Sequence, residues 1–167
     1  MENNQTLNDK RILVVDDEPD ILETLEELLE DMFMVDPASS FEKAVSFLKN
    51  NTYDVAILDI MGVRGYDLLE ATHALGIPTL MLTAHALSAD NLKKSIELGA
   101  DAYIPKDKMV DISMYVEDVL MSRQNKKKNF KWYAGMMPFF DKFFGEGWKD
   151  PEKEFWDAFD KKHVELG

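Results

Sequence analysis

Short, wholly apolar runs alternate along the chain with longer stretches in which apolar positions recur every three or four residues. Residues 12–15 and Val55–Leu58 are such runs, and each reads as a strand buried on both faces. Between them Ile21, Leu22, Leu25, Leu28, Leu29 and Met32 fall on one helical face, with Pro19 suited to the first turn. A short strand is expected at residues 33–35. Ser39 and Glu42 then have capping-box spacing ahead of a helix through Phe41, Ala44, Val45 and Leu48. The pattern continues with a helix over 66–75, a strand over 79–82, a helix over 89–98 closed by Gly99, a strand over 102–104 and a helix over 111–122. Five strand–helix units of this kind call for a parallel sheet covered on both faces, and the right-handed crossover rule leaves few topologies. The expected fold is a flavodoxin-like, doubly wound, five-stranded α/β sheet. Ligands of such sheets bind beyond the carboxyl ends of the strands.

The residues at those ends are Asp16 and Asp17 after the first strand, Asp59 after the third, Thr83 after the fourth and Lys106 after the fifth. Three carboxylates brought together raise one another's pKa unless a cation offsets them, and oxygen ligands suit a hard divalent ion such as Mg²⁺. A lysine neutralises a transferring phosphoryl group and a threonine hydroxyl hydrogen-bonds its oxygen, so the set describes phosphoryl transfer to an aspartate. Asp59, alone at the end of "VAILD", is the nucleophile candidate, and the Asp16–Asp17 pair suits metal. A phosphohydrolase built on the same nucleophile needs an acid two residues further on, where Met61 stands instead.

Charge narrows the partners. The net charge of -13 repels nucleic acid and anionic membrane surfaces, so neither DNA nor membrane is expected as a partner. The absence of cysteine removes disulfides, thiolate catalysis and cysteine-bound zinc together. His73, His85 and His163 have no metal-ligand spacing. The polar segment 1–9 has no apolar targeting core, and a cytoplasmic location is the expectation.

The strings "LVVDDE", "ILDI", "MLTA" and "GADAYIPK", in that order, resemble the receiver domain of two-component response regulators over residues 10–123. The resemblance implies a phosphoprotein that takes a phosphoryl group on Asp59 from a sensor histidine kinase or a histidine phosphotransfer protein, with Mg²⁺ as cofactor. It is a signalling module rather than a turnover enzyme. It further implies that Asp17 ligates the metal directly, that Asp16 holds a metal-bound water, and that Met61 adds its backbone carbonyl. Thr83 and Tyr103 would be the switch pair and Lys106 the phosphate-contacting lysine. Met61 and His85 would tune access of hydrolytic water, apolar Met61 slowing loss of the phosphoryl group. Two positions depart from the family pattern: Asp107, not proline, follows Lys106, and Val63 stands where the family has proline. A cis peptide before Asp107 would cost about 2.5–4 kcal/mol.

Beyond a basic hinge at 124–129 the composition changes, and residues 130–167 hold all three tryptophans. Trp132, Tyr133, Met136, Met137, Phe140, Phe143 and Phe144 recur at helical steps, with Pro138 expected to kink or restart the helix. Asp150 and Pro151 read as the N-cap and first position of a second helix carrying Phe155, Trp156 and Phe159. So much apolar surface must be covered, by the chain's own receiver, by a second copy in a homodimer, or by a partner protein. Trp132, Phe140, Phe144, Trp156 and Phe159 are the contact candidates. Signalling through contact with a downstream protein is the first reading; a non-switching scaffold with a constitutive assembly tail is the alternative.

Overall fold

The computed structural model describes residues 9–124 and 130–165. The polar segment 1–9 apart from Asp9, and the basic hinge beyond Gln124, fall outside the described residues. Five parallel strands, β1 (Arg11–Val15), β2 (Met34–Ala38), β3 (Val55–Leu58), β4 (Thr79–Thr83) and β5 (Ala102–Pro105), form one sheet in the order β2-β1-β3-β4-β5. The helices between them are α1 (Pro19–Leu29), α2 (Phe41–Asn50), α3 (Gly65–Ala74) and α4 (Ala89–Glu97); α5 (Ile112–Gln124) follows β5 after a 3-10 turn. Every residue of β3, β4 and β5 is buried, as expected of strands covered on both faces. The expected doubly wound sheet is therefore present.

Local boundaries moved where polar residues interrupt the apolar pattern. β2 runs over Met34–Ala38 rather than 33–35, because Phe33 closes the turn after α1, its N–H bonding the Leu29 carbonyl at 2.9 Å. Asp36 and Pro37, which hide the strand in the sequence, are tolerated at a sheet edge. Asp36 is held there by the Arg11 guanidinium at 2.8 Å and the Tyr53 hydroxyl at 2.7 Å. The cap of α2 is Ser40, not Ser39: its Oγ accepts from the Lys43 N–H at 3.1 Å. That shift leaves Glu42 one position short of a capping box. No cis peptide occurs among the described residues, so the Lys106–Asp107 bond is trans.

The extension forms α6 (Lys131–Phe144) and α7 (Lys153–Asp160). α6 continues through Pro138 without restarting. Proline removes the bond to the Ala134 carbonyl and crowds that oxygen, but both residues are exposed, so the carbonyl stays open to solvent. Asp150 and Pro151 lie in a 3-10 turn ahead of α7 rather than in its first turn, since the Glu152 N–H bonds the Lys149 carbonyl at 3.1 Å. Tyr133 and Trp156 stack with centroids 6.0 Å apart, and Phe159 meets Tyr133 edge-on at 4.8 Å. Within the chain these rings cover one another, and Phe140 meets the receiver at Tyr103. Trp132, Phe140, Trp156 and Phe159 are buried, and Phe144 is half-buried. No helix among the described residues is long and apolar enough to cross a membrane.

Candidate functional site

The strand ends converge at one edge of the sheet. The register places Val15 beside Leu58 and Leu58 beside Met81, so the residues that follow these strands are neighbours. Asp16 and Asp59 are 1% and 2% exposed, and Asp17 lies outside them on the surface. The carboxylates of Asp16, Asp17, Glu18 and Asp59 each offer an oxygen within 4.8 Å of the others. Four oxygen donors of this kind suit a hard divalent cation. The 8%-exposed Lys106 side chain reaches into the cluster, with Nζ 2.8 Å from Asp16 Oδ2, 3.4 Å from Glu18 Oε1 and 3.5 Å from Asp59 Oδ2.

Backbone donors set the direction of each acid. The Glu18 N–H bonds Asp16 Oδ1 at 2.9 Å, and the Ile60 N–H bonds Asp59 Oδ1 at 2.9 Å. Asp59 thereby keeps Oδ2 turned toward Lys106. Burial pushes the Asp59 carboxyl up to about 6, the charge on Asp16 adding to it and Lys106 opposing it. Burial likewise raises Asp16 above its ordinary value against the pull of Lys106. For Lys106, burial would lower the pKa, but the bond to Asp16 and the surrounding carboxylates carry it above the usual lysine value. An ionised Asp59 in this setting is poorly solvated, which favours reaction with an electrophile or pairing with a cation.

The loop after β3 is shaped around the acids. At Gly65 a Cβ would collide with the Asp59 carbonyl oxygen, so the start of α3 can approach the strand only without a side chain. Gly62, with φ +85°, lies against the Asp17 carboxylate. Arg64 carries the left-handed backbone, φ 55°, at the N-cap of α3 and is steadied by Asp67 at 2.8 Å and by the Phe41 ring at 4.1 Å.

Of the sequence-selected residues, Asp16, Asp17, Asp59 and Lys106 come together, and Thr83 ends the adjacent strand, fully buried. Met61 and His85 stand exposed on the loops after β3 and β4, with His85 Nε2 3.4 Å from Glu18 Oε1. Tyr103 is buried, its hydroxyl bonded to the Ala86 carbonyl, and Trp132, Phe140, Phe144, Trp156 and Phe159 belong to the extension. Glu18 was missed as a member of the cluster. Its signal was its place as the third carboxylate of "DDE", ahead of Pro19.

Residues 12–117 match the family model described as the response regulator receiver domain. The heme response regulator HssR of Staphylococcus saprophyticus is 32% identical over 70% of this chain and 54% of its own length. The transcriptional regulatory protein CpxR of Escherichia coli is 39% identical over 58% of this chain and 42% of its own. The chain spans about half, or less, of the length of the curated relatives it matches. Among solved structures, a CheY-like response regulator receiver domain protein from Methanospirillum hungatei JF-1 superposes with a TM-score of 0.65. It is 32% identical, and the match covers 70% of this chain and 98% of that one.

Proposed function

The chain belongs to the response regulator receiver domain family, and from that premise we propose that it accepts a phosphoryl group on Asp59 from a sensor histidine kinase or a histidine phosphotransfer protein. The observation that carries this reading is the Lys106 ammonium lodged between Asp16 and Asp59 at the rim of a four-carboxylate cluster. Asp59 Oδ2 attacks phosphorus, the N–P bond of the donor phosphohistidine breaks, and the departing imidazole takes up a proton. Lys106 then pairs with a phosphoryl oxygen, and the Thr83 hydroxyl donates to another. Asp16, Asp17, Asp59 and the Met61 backbone carbonyl would hold Mg²⁺, which when bound neutralises charge on the phosphoryl oxygens. Turnover is confined to the chain's own phosphorylation and dephosphorylation.

In this reading residues 10–123 are the receiver unit, 124–129 a hinge and 130–167 an extension. The output is contact with a downstream protein, an assignment supported by the anionic charge of the chain. A phosphodonor such as acetyl phosphate tests the reading directly. With Mg²⁺, intact-mass analysis should show one phosphoryl adduct on the wild type and none on Asp59→Asn or in excess EDTA. An adduct that persists in Asp59→Asn sinks the assignment.

A further inference from the structure

Tyr103 lies on β5, an edge strand, and yet is 0% exposed. Its cover is α6: Phe140, also 0% exposed, sets its ring 6.2 Å from that of Tyr103 at a tilt of 49°. The far end of Tyr103 is tied to the loop after β4. Its hydroxyl donates to the Ala86 carbonyl at 2.9 Å and accepts from the Ser88 N–H at 3.2 Å. Ala86 is bonded at its other side too, because its N–H donates to Thr83 Oγ1 at 3.2 Å. A continuous set of contacts thus runs from Thr83 through Ala86 and Tyr103 to Phe140.

The seat of the extension is fixed on both flanks of β5. On the α4 side Lys93 pairs with Glu152 at 3.3 Å and lies 5.2 Å over the Phe155 ring. On the α5 side the Tyr115 hydroxyl donates to the Met136 sulfur at 3.5 Å. The hydroxyl of a threonine has one proton to give and two lone pairs to receive. In Thr83 the Ala86 N–H occupies a lone pair, which leaves the proton to be donated elsewhere.

We infer that Phe140 is a positioning residue: pressed on Tyr103, it holds the loop after β4 where the Thr83 hydroxyl can donate to an oxyanion on Asp59, so that seating of the extension and phosphoryl loading favour each other. The inference rests on Asp59 being the phosphoacceptor. Because such coupling is reciprocal, whatever the extension adds to loading, loading returns to the seating of the extension.

All three tryptophans lie in the extension, which supplies the readout. Beryllofluoride with Mg²⁺ serves as the probe for the phosphoryl group, its affinity measured by calorimetry and tail seating by tryptophan emission, on the full chain. The wild type should bind the probe with a change in emission. Phe140→Ala should weaken binding by about fivefold or more, the lower end of typical coupling energies, and lose the emission change. Phe140→Leu, which keeps an apolar side chain and guards against a variant that does not fold, should fall between the two. Tyr103→Phe, which keeps the ring but not the hydroxyl, should bind weakly and leave emission unmoved. Wild-type affinity and an unaltered emission response in the Phe140 variants overturn the coupling alone. Tighter binding in Phe140→Ala overturns its sign and therefore the inference. A wild type that takes up no beryllofluoride overturns the phosphoacceptor reading and this inference with it.

Discussion

The Lys106 ammonium is bonded to Asp16, at 2.8 Å, more closely than to any other acid of the cluster. This contact stabilises two buried carboxylates that otherwise share one low-dielectric site. Lys106→Met should therefore cost about 3 kcal/mol at pH 7.5, the lower end of what is lost when one partner of a buried pair is removed. The deficit, read from urea denaturation in EDTA, should narrow when Mg²⁺ is added. An unchanged denaturation midpoint would show that the acids are already hydrated or protonated.

Asp59 makes stability depend on pH in a defined direction. Its carboxyl, at 3.8 when unperturbed, sits at about 6 in the folded chain. Between those values the folded state keeps a proton that the unfolded state has released, so its contribution falls as pH rises through the window and is lowest above it. The shift corresponds to about 3 kcal/mol at ~1.4 kcal/mol per unit. In metal-free buffer Asp59→Asn should therefore stabilise the protein by about 2 kcal/mol at pH 7.5 and by much less at pH 4. A difference between the two proteins that stays constant with pH would exclude Asp59 as its source.

Gly65 and Gly76 separate two reasons for needing glycine. At Gly65 an added methyl group meets the Asp59 backbone, whereas Gly76 has φ +74° and open space around it. Gly65→Ala should cost about 3 kcal/mol through forced backbone displacement. Gly76→Ala should cost about 1 kcal/mol, the price of a left-handed alanine. Chemical denaturation of the two variants settles the order.

Met61 stands exposed on the loop after β3. If it limits access of water to the phosphorylated aspartate, Met61→Asn should shorten the lifetime of the phosphoryl adduct several-fold without altering uptake. The decay of the adduct after removal of the donor is the measurement, and an unaltered decay rate rejects the role.

The sheet and most of its site could be read from the sequence because both follow one rule: apolar runs make buried strands, and the residues directly after them share an edge. Asp16, Asp59, Thr83 and Lys106 were found in that way. β2 was displaced because an edge strand need not be apolar, and Asp36 and Pro37 concealed it. Glu18 escaped because it precedes a helix rather than ending a strand. Arg64 adopts a left-handed backbone with no glycine to announce it, held by the local pair with Asp67 and by the Phe41 ring, which only the fold brings near. The meeting of Phe140 with Tyr103 joins two separate elements, a contact no local periodicity encodes.

Pro37 carries a consequence for the open side of β2. The Met34 N–H and the Ala38 carbonyl bond toward β1, so the alternate residues Val35 and Pro37 face outward. Proline has no N–H to offer, which leaves Val35 as the outward donor in the middle of the strand. A foreign strand arriving at that margin would find a broken ladder, and the sheet is thereby protected from templating its own aggregation.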